Sequence, residues 1–192
     1  MLDTKYLQTV RAEVLAYASK RREVIKSAGD AQHHSKRAIF ALQRDDLSGA
    51  VESLGQAEKL LLDLNKRFNK CSALFDEGSY RSAVEEYVEA QLFFQFYQGK
   101  KITKISKVLV EADTYIGGLC DLPGELYRYA IKSVTQKKYA VAKKCREMAE
   151  MIINELVTMD LTGYNRQKFD QAKQAMQKLE QVEYEISLRD KI

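Results

Sequence analysis

The chain has 192 residues, with one proline, nine glycines, no tryptophan, two histidines and three cysteines, and it carries 31 basic residues against 27 acidic ones. So little proline and glycine beside 45% apolar residues excludes a collagen-like or broadly disordered chain, and no apolar run approaches the roughly 18 residues of a membrane span. The three cysteines (Cys71, Cys120, Cys145) make neither a zinc pattern nor a disulfide framework, and the adjacent His33 and His34 lie in no histidine-based catalytic motif. Without a signal-like N-terminus the chain reads as cytoplasmic or nuclear, with cytoplasmic the expectation, and no membrane among its partners.

Helical periodicity begins at once. Residues 4 to 44 read as one long helix, or two interrupted at most near Gly29-Asp30. Leu7, Val10, Val14, Tyr17, Val24, Ile25, Ala28, Ile39 and Leu42 fall on one broad face at about 100° per residue. Through Arg44 this segment holds nine basic residues and four acidic ones, and Arg11, Arg22, Lys26, His33, Lys36, Arg37 and Arg44 gather on an adjoining sector that contains none of the acids. Such a stripe is either a solvated face or a row of phosphate contacts for nucleic acid. Phe40 is the one aromatic interleaved with it, so backbone contact is the expected mode rather than base stacking.

The cluster Asp45 to Gly49 breaks the pattern. A second helix runs to about Lys70 on the apolar series Val51, Leu54, Leu61, Leu62, Leu64 and Phe68. After the Asp76–Ser79 turn, with Ser79 as N-cap, a third helix spans Tyr80 to Gln98 and stops at Gly99. Its main apolar face carries Val84, Tyr87, Val88 and Phe94. Glu86 and Glu89, three apart, lie on the opposite side, which continues as Phe93 and Phe96, so this pair heads a second covered face. Carboxylates crowded beside apolar surface repel one another unless a cation sits between them.

From Ile105 the pattern resumes and reaches Ser133. If the helix continues through Pro123, Asp121 and Glu125 share a face at i and i+4, with Arg128 and Lys132 following and Gly117-Gly118 one turn before, where another backbone or a substrate strand could approach. The competing local reading makes Asp121 the N-cap of a helix starting at Leu122. Two further helices, about 137 to 158 and 165 to 189, flank the Asp160–Gly163 turn, and Leu179, Val182, Ile186 and Leu188 mark the last helix as core or subunit contact. No strand pattern and no dividing linker intervene, so residues 1–192 read as one all-α domain, a bundle of six or seven helices. Four carboxylates without a Glu-x-x-His would not suit a di-iron centre but would suit Mg²⁺ or Mn²⁺, which prefer oxygen.

Four runs carry a resemblance: SKRAIFALQR (Ser35 to Arg44), EEYVEAQLFFQF (Glu85 to Phe96), YIGGLCDLPGELYRYAIKSV (Tyr115 to Val134) and KLEQVEYEISLR (Lys178 to Arg189). In this order they are similar to the translin family. They most resemble its translin-associated factor X branch, whose runs read like SKRxIFxLHR, QEYxEAxSF, YLLGxADLTGELMRxxINS and KVExxxYxLxxRG. This chain departs in lacking the long insertion between the second and third runs and in having Pro123. The resemblance implies a helical subunit of a closed, roughly octameric homo-oligomeric shell that binds RNA, single-stranded or duplex, or single-stranded DNA. For this branch it also implies a metal-dependent endoribonuclease, with Glu86, Glu89, Asp121 and Glu125 as the Mg²⁺-binding catalytic acids, while the translin branch is a non-catalytic binder lacking the two glutamates. Arg11, Arg22, Lys36, Arg37 and Arg44 would then hold the strand's backbone, and Arg128 or Lys132 would offset phosphate charge.

Overall fold

A computed structural model describes residues 2–68 and 77–189. Among them are six helices and no strand: α1 (Thr4–Gln43), α2 (Leu47–Phe68), α3 (Gly78–Tyr97), α4 (Ala112–Thr135), α5 (Tyr139–Val157) and α6 (Gly163–Arg189). The second helix's expected extension to Lys70, together with Cys71 and Asp76, lies outside the described residues. α1 packs on α2 and α3, α4 packs on α5 and α6, and the two halves meet where α3 lies against α4.

α1 is a single unbroken helix through Gly29-Asp30. Asp3 caps it by accepting the Tyr6 N–H at 3.0 Å. At about 1.5 Å per residue its 40 residues extend some 60 Å, twice the reach of α2 or α3. α2 returns from the Asp45 turn and, at 22 residues, covers α1 only back to about Glu23. Arg67 near its end pairs with Glu23 at 2.6 Å, and Glu77 at the start of α3 pairs with Arg21. Burial along α1 accordingly begins at Val24, and the apolar face expected to be continuous is uncovered before it: Leu7, Val14 and Tyr17 are exposed, as is Ile25.

Several of the expected element boundaries move, and α2 already begins at Leu47, inside the expected Asp45–Gly49 break. Glu77, in extended conformation, is the N-cap residue of α3, and Ser79 lies within the first turn. The stretch before α4 is not helical until Ala112. It is rich in β-branched residues and tied down instead, with Val108 buried, the Thr103 N–H donating to Gln95 Oε1 at 2.8 Å and Lys107 pairing with Glu58 at 2.9 Å. α4 runs straight past Pro123, which removes one i→i−4 bond, to the Leu119 carbonyl, and Asp121 is therefore an interior residue and no cap. Packing sustains the helix there, because Leu119, Cys120, Leu122, Pro123 and Leu126 are all buried. Gly118 permits the close approach of α3: a Cβ at this position would stand 2.9 Å from the Glu85 carbonyl oxygen and 2.8 Å from Val88 Cγ1. The backbone that Gly118 admits is thus the protein's own, while Gly117 makes room for the Glu85 side chain.

Candidate functional site

The apolar residues of α3 surround it almost completely, with Val84, Tyr87, Val88, Leu92 and Phe93 buried, and they carry Glu89 inward with them. The continuous α4 presents Asp121 and Glu125 one turn apart toward the same seam. α1 closes it with Gln32, Lys36 and Gln43, which share one helical face. The four predicted acids are thereby brought into one electrostatic neighbourhood. Burial is the first cause, and the charges of Asp121, Glu125 and Glu86 the next, that push the Glu89 carboxyl well above its ordinary value. Glu86, Asp121 and Glu125 are also raised, each mainly by burial.

Three of the acids have partners and the most buried one does not. Glu86 meets Lys36 Nζ at 3.7 Å and accepts from Gln32 Nε2 at 3.4 Å. Glu125 accepts from Gln43 Nε2 at 3.0 Å and pairs with Arg128 at 3.2 Å. Asp121 is held by Lys168, which reaches across from α6, pairs with Glu85 at 2.8 Å as well, and lies near the Tyr164 ring. Glu89, only 8% exposed, has no hydrogen bond or ion pair within the described residues. By ligand type alone, carboxylate oxygens are what a hard divalent cation takes. The cluster is not a preformed cage, since among the described residues no three His, Cys, Asp or Glu side chains are grouped as a ready metal site.

The raised Glu89 carboxyl has a consequence for stability. Its folded-state pKa lies above the unfolded one, so the contribution is fully favourable below the ordinary carboxylate value of 4.5 and is lost as pH rises through the folded value. Glu89→Gln removes that loss. In chelator at neutral pH the variant is expected to melt above the parent, and the gain should vanish in acid. Thermal denaturation of both proteins across pH checks this; equal melting temperatures at neutral pH would refute it.

The basic residues divide. Arg11, Arg22, Lys26, His33, Lys36, Arg37 and Arg44 are all solvent-exposed along α1, as the stripe requires. Lys36 touches both surfaces, with its ammonium at Glu86. Arg128 stays beside the acids through Glu125, but Lys132 does not join them: its ammonium is taken by Asp45, which also accepts from the Tyr129 hydroxyl at 2.9 Å. Lys168, Gln32 and Gln43 are the residues that sequence reasoning missed. The two glutamines were recoverable from their helical register with Lys36, whereas Lys168 lies 47 residues beyond Asp121 with no local signal. Of the last helix's apolar series, Leu179 and Val182 are core and Leu188 is 45% exposed. No helix of the described residues is long and apolar enough to cross a membrane.

Residues 19–190 match the family model described as Translin family. A structure described as AfC3PO has 21% identity and a TM-score of 0.87, covering 96% of this chain and 98% of that one. The apo-NeC3PO crystal structure has 21% identity and a TM-score of 0.84, with 95% and 96% covered. A structure of AfC3PO with duplex RNA also has 21% identity and a TM-score of 0.84, with 96% and 97% covered. At this identity the similarity is one of fold. No curated protein matches the chain.

Proposed function

The chain belongs to the translin family, and from that premise we propose that it is a metal-dependent endoribonuclease of the factor X kind, binding RNA along α1 and cleaving it at the α1–α3–α4 seam. The observation that carries this reading is Glu89: a buried carboxyl that feels the charges of Asp121, Glu125 and Glu86, with the Lys168 ammonium as its one counter-charge and no ion pair of its own among the described residues. Glu86, Glu89, Asp121 and Glu125 would hold Mg²⁺, or Mn²⁺ in its place. When bound, the ion supplies Lewis acidity to a phosphodiester oxygen and lowers the pKa of an attacking water. Gln32 and Gln43 orient Glu86 and Glu125, and Arg128, 63% exposed at its side chain, can turn toward an incoming phosphate.

Arg11, Arg22, Arg37 and Arg44 hold the strand by its backbone, and Lys36 delivers it to the acids. Contacts of this kind carry little sequence preference and respond strongly to salt. Arg37→Gln/Arg44→Gln is expected to weaken single-stranded RNA binding and to reduce the slope of log affinity against log salt by about 1.4, about 0.7 per lost phosphate contact. Fluorescence anisotropy over a salt series measures it, and an unchanged slope would remove these two residues from the interface. Single-stranded DNA belongs in the same series, because backbone contacts alone do not separate the two. The solved relative bound to duplex RNA has this fold, which supports RNA as the partner. We further propose a homo-oligomeric, roughly octameric shell. The uncovered Tyr6, Leu7, Val14 and Leu15 of α1, with Tyr184 and Leu188 of α6, supply apolar surface for it, and a monomer in light scattering would reject it.

One observation favours a second reading, that of a non-catalytic nucleic-acid binder: Asp121 is already neutralised by Lys168, and among the described residues no three acids are grouped as a ready site. The two readings part in one experiment. Labelled single-stranded RNA incubated with the purified chain is cut in Mg²⁺ and spared in chelator if the acids are catalytic, and is bound intact in both if they are structural.

A further inference from the structure

Phe40 is 55% exposed in the middle of the basic sector of α1. Arg37 and Arg44 flank it at i−3 and i+4, all three within about 60° of one another around the helix and about 10 Å from end to end. Both guanidinium groups are exposed, and neither forms an ion pair within the described residues. The three side chains form one wall of a cleft of about 270 Å³ between α1 and the start of α2, whose other wall carries Asp46, Glu52 and Gln56. Those acids are occupied: Asp46 accepts from the Gly49 N–H at 2.9 Å and from Ser48 at 3.0 Å, and Glu52 accepts from Gln56 at 3.2 Å. Asp46 also feels the charge of Arg44.

We propose that Arg37, Phe40 and Arg44 form a clamp for one unpaired nucleotide, with its base stacked on the Phe40 ring and the phosphates on either side held by the two arginines. The inference rests on the RNA-binding reading and names the substrate feature it selects. Charge, ring, charge along one helix face matches phosphate, base, phosphate along a single strand. An apolar protein partner would instead call for a contiguous apolar patch, and the neighbours here are charged. The acidic far wall repels the backbone and so keeps the phosphates on the arginine side. A base inside a continuous duplex has no free face to offer, so the clamp favours single strands, overhangs and nicks. It also sits one helix face away from the acids, on the same turns of α1 from which Lys36 reaches Glu86 and Gln43 reaches Glu125. A strand anchored there is delivered to the carboxylates.

The chain contains no tryptophan, so Phe40→Trp places a unique fluorophore at the clamp. In chelator, so that nothing is cut, a short single-stranded RNA is expected to quench this fluorescence, and the blunt duplex of the same sequence is not. Phe40→Ala and Phe40→Leu should weaken single-strand binding about 5- to 100-fold, the range of one lost base stack, while blunt-duplex binding stays within about twofold. Wild-type binding of RNA with indifferent Phe40 variants would overturn the clamp and leave the RNA-binding reading intact. No RNA binding by the wild type would overturn both. A changed oligomeric state of Phe40→Ala in light scattering, with RNA affinity unaltered, would reassign the residue to a subunit contact and also overturn the clamp.

Discussion

Glu86→Gln/Glu89→Gln should bind single-stranded RNA as tightly as the parent in chelator and, in Mg²⁺, cut it at least about 100-fold more slowly, the scale on which removing groups that stabilise transition-state charge acts. The two substitutions keep volume while exchanging one acceptor oxygen of each carboxylate for an amide donor, so the loss reports the removed charge and ligand oxygen. The same double variant should fold normally, because it removes carboxylates that burial and mutual repulsion make unfavourable in the metal-free protein. A stable variant that has lost cleavage and kept affinity separates a catalytic role from a structural one. Cutting at the parent's rate would place the chemistry elsewhere.

Lys168→Met is the substitution expected to cost the most stability. It strips the cation from two carboxylates at once, leaving Asp121 with no basic partner and Glu85 with only the Tyr164 hydroxyl at 2.8 Å. Orphaning a buried charge costs about 3–5 kcal/mol; with Asp121 29% exposed at its side chain, about 2–3 kcal/mol is the appropriate scale. That corresponds to a melting temperature lower by about 4–12 °C in a chain of this length. Adding Asp121→Asn to Lys168→Met should recover a large part of the loss, because the orphaned charge is then gone. A double variant no more stable than Lys168→Met would mean that the lysine acts through packing on Tyr164 and not through its charge.

The fold was largely legible because its elements are long and their apolar residues recur at helical spacing. The choice at Pro123 was not. Locally, Asp121 ahead of Leu-Pro is a good helix start, and only the burial of Leu119, Leu122 and Leu126, with Gly118 seated on α3, decides for an unbroken helix. The same holds for the apolar face of α1, whose pattern continues to Leu7 although the neighbours are too short to cover it. Within the site, the acidic pairs could be placed because i, i+3 and i, i+4 spacing puts each pair on one helix face. That the two helices bring their pairs together was supplied by the family resemblance, not by periodicity. Lys168 was invisible for the corresponding reason: its partners lie on α3 and α4, and nothing around Lys168 itself announces a buried ammonium.

Metal-dependent cleavage of RNA at these carboxylates is what we propose for the chain. Its most direct test is the single-turnover cleavage rate of a labelled single-stranded RNA by the purified wild-type chain, measured in Mg²⁺ and again in excess chelator. Internal cuts that appear in Mg²⁺ and are abolished by chelator are the result expected here. RNA that is bound but remains intact in both would contradict it, and would make the acidic seam a structural feature of a nucleic-acid-binding protein.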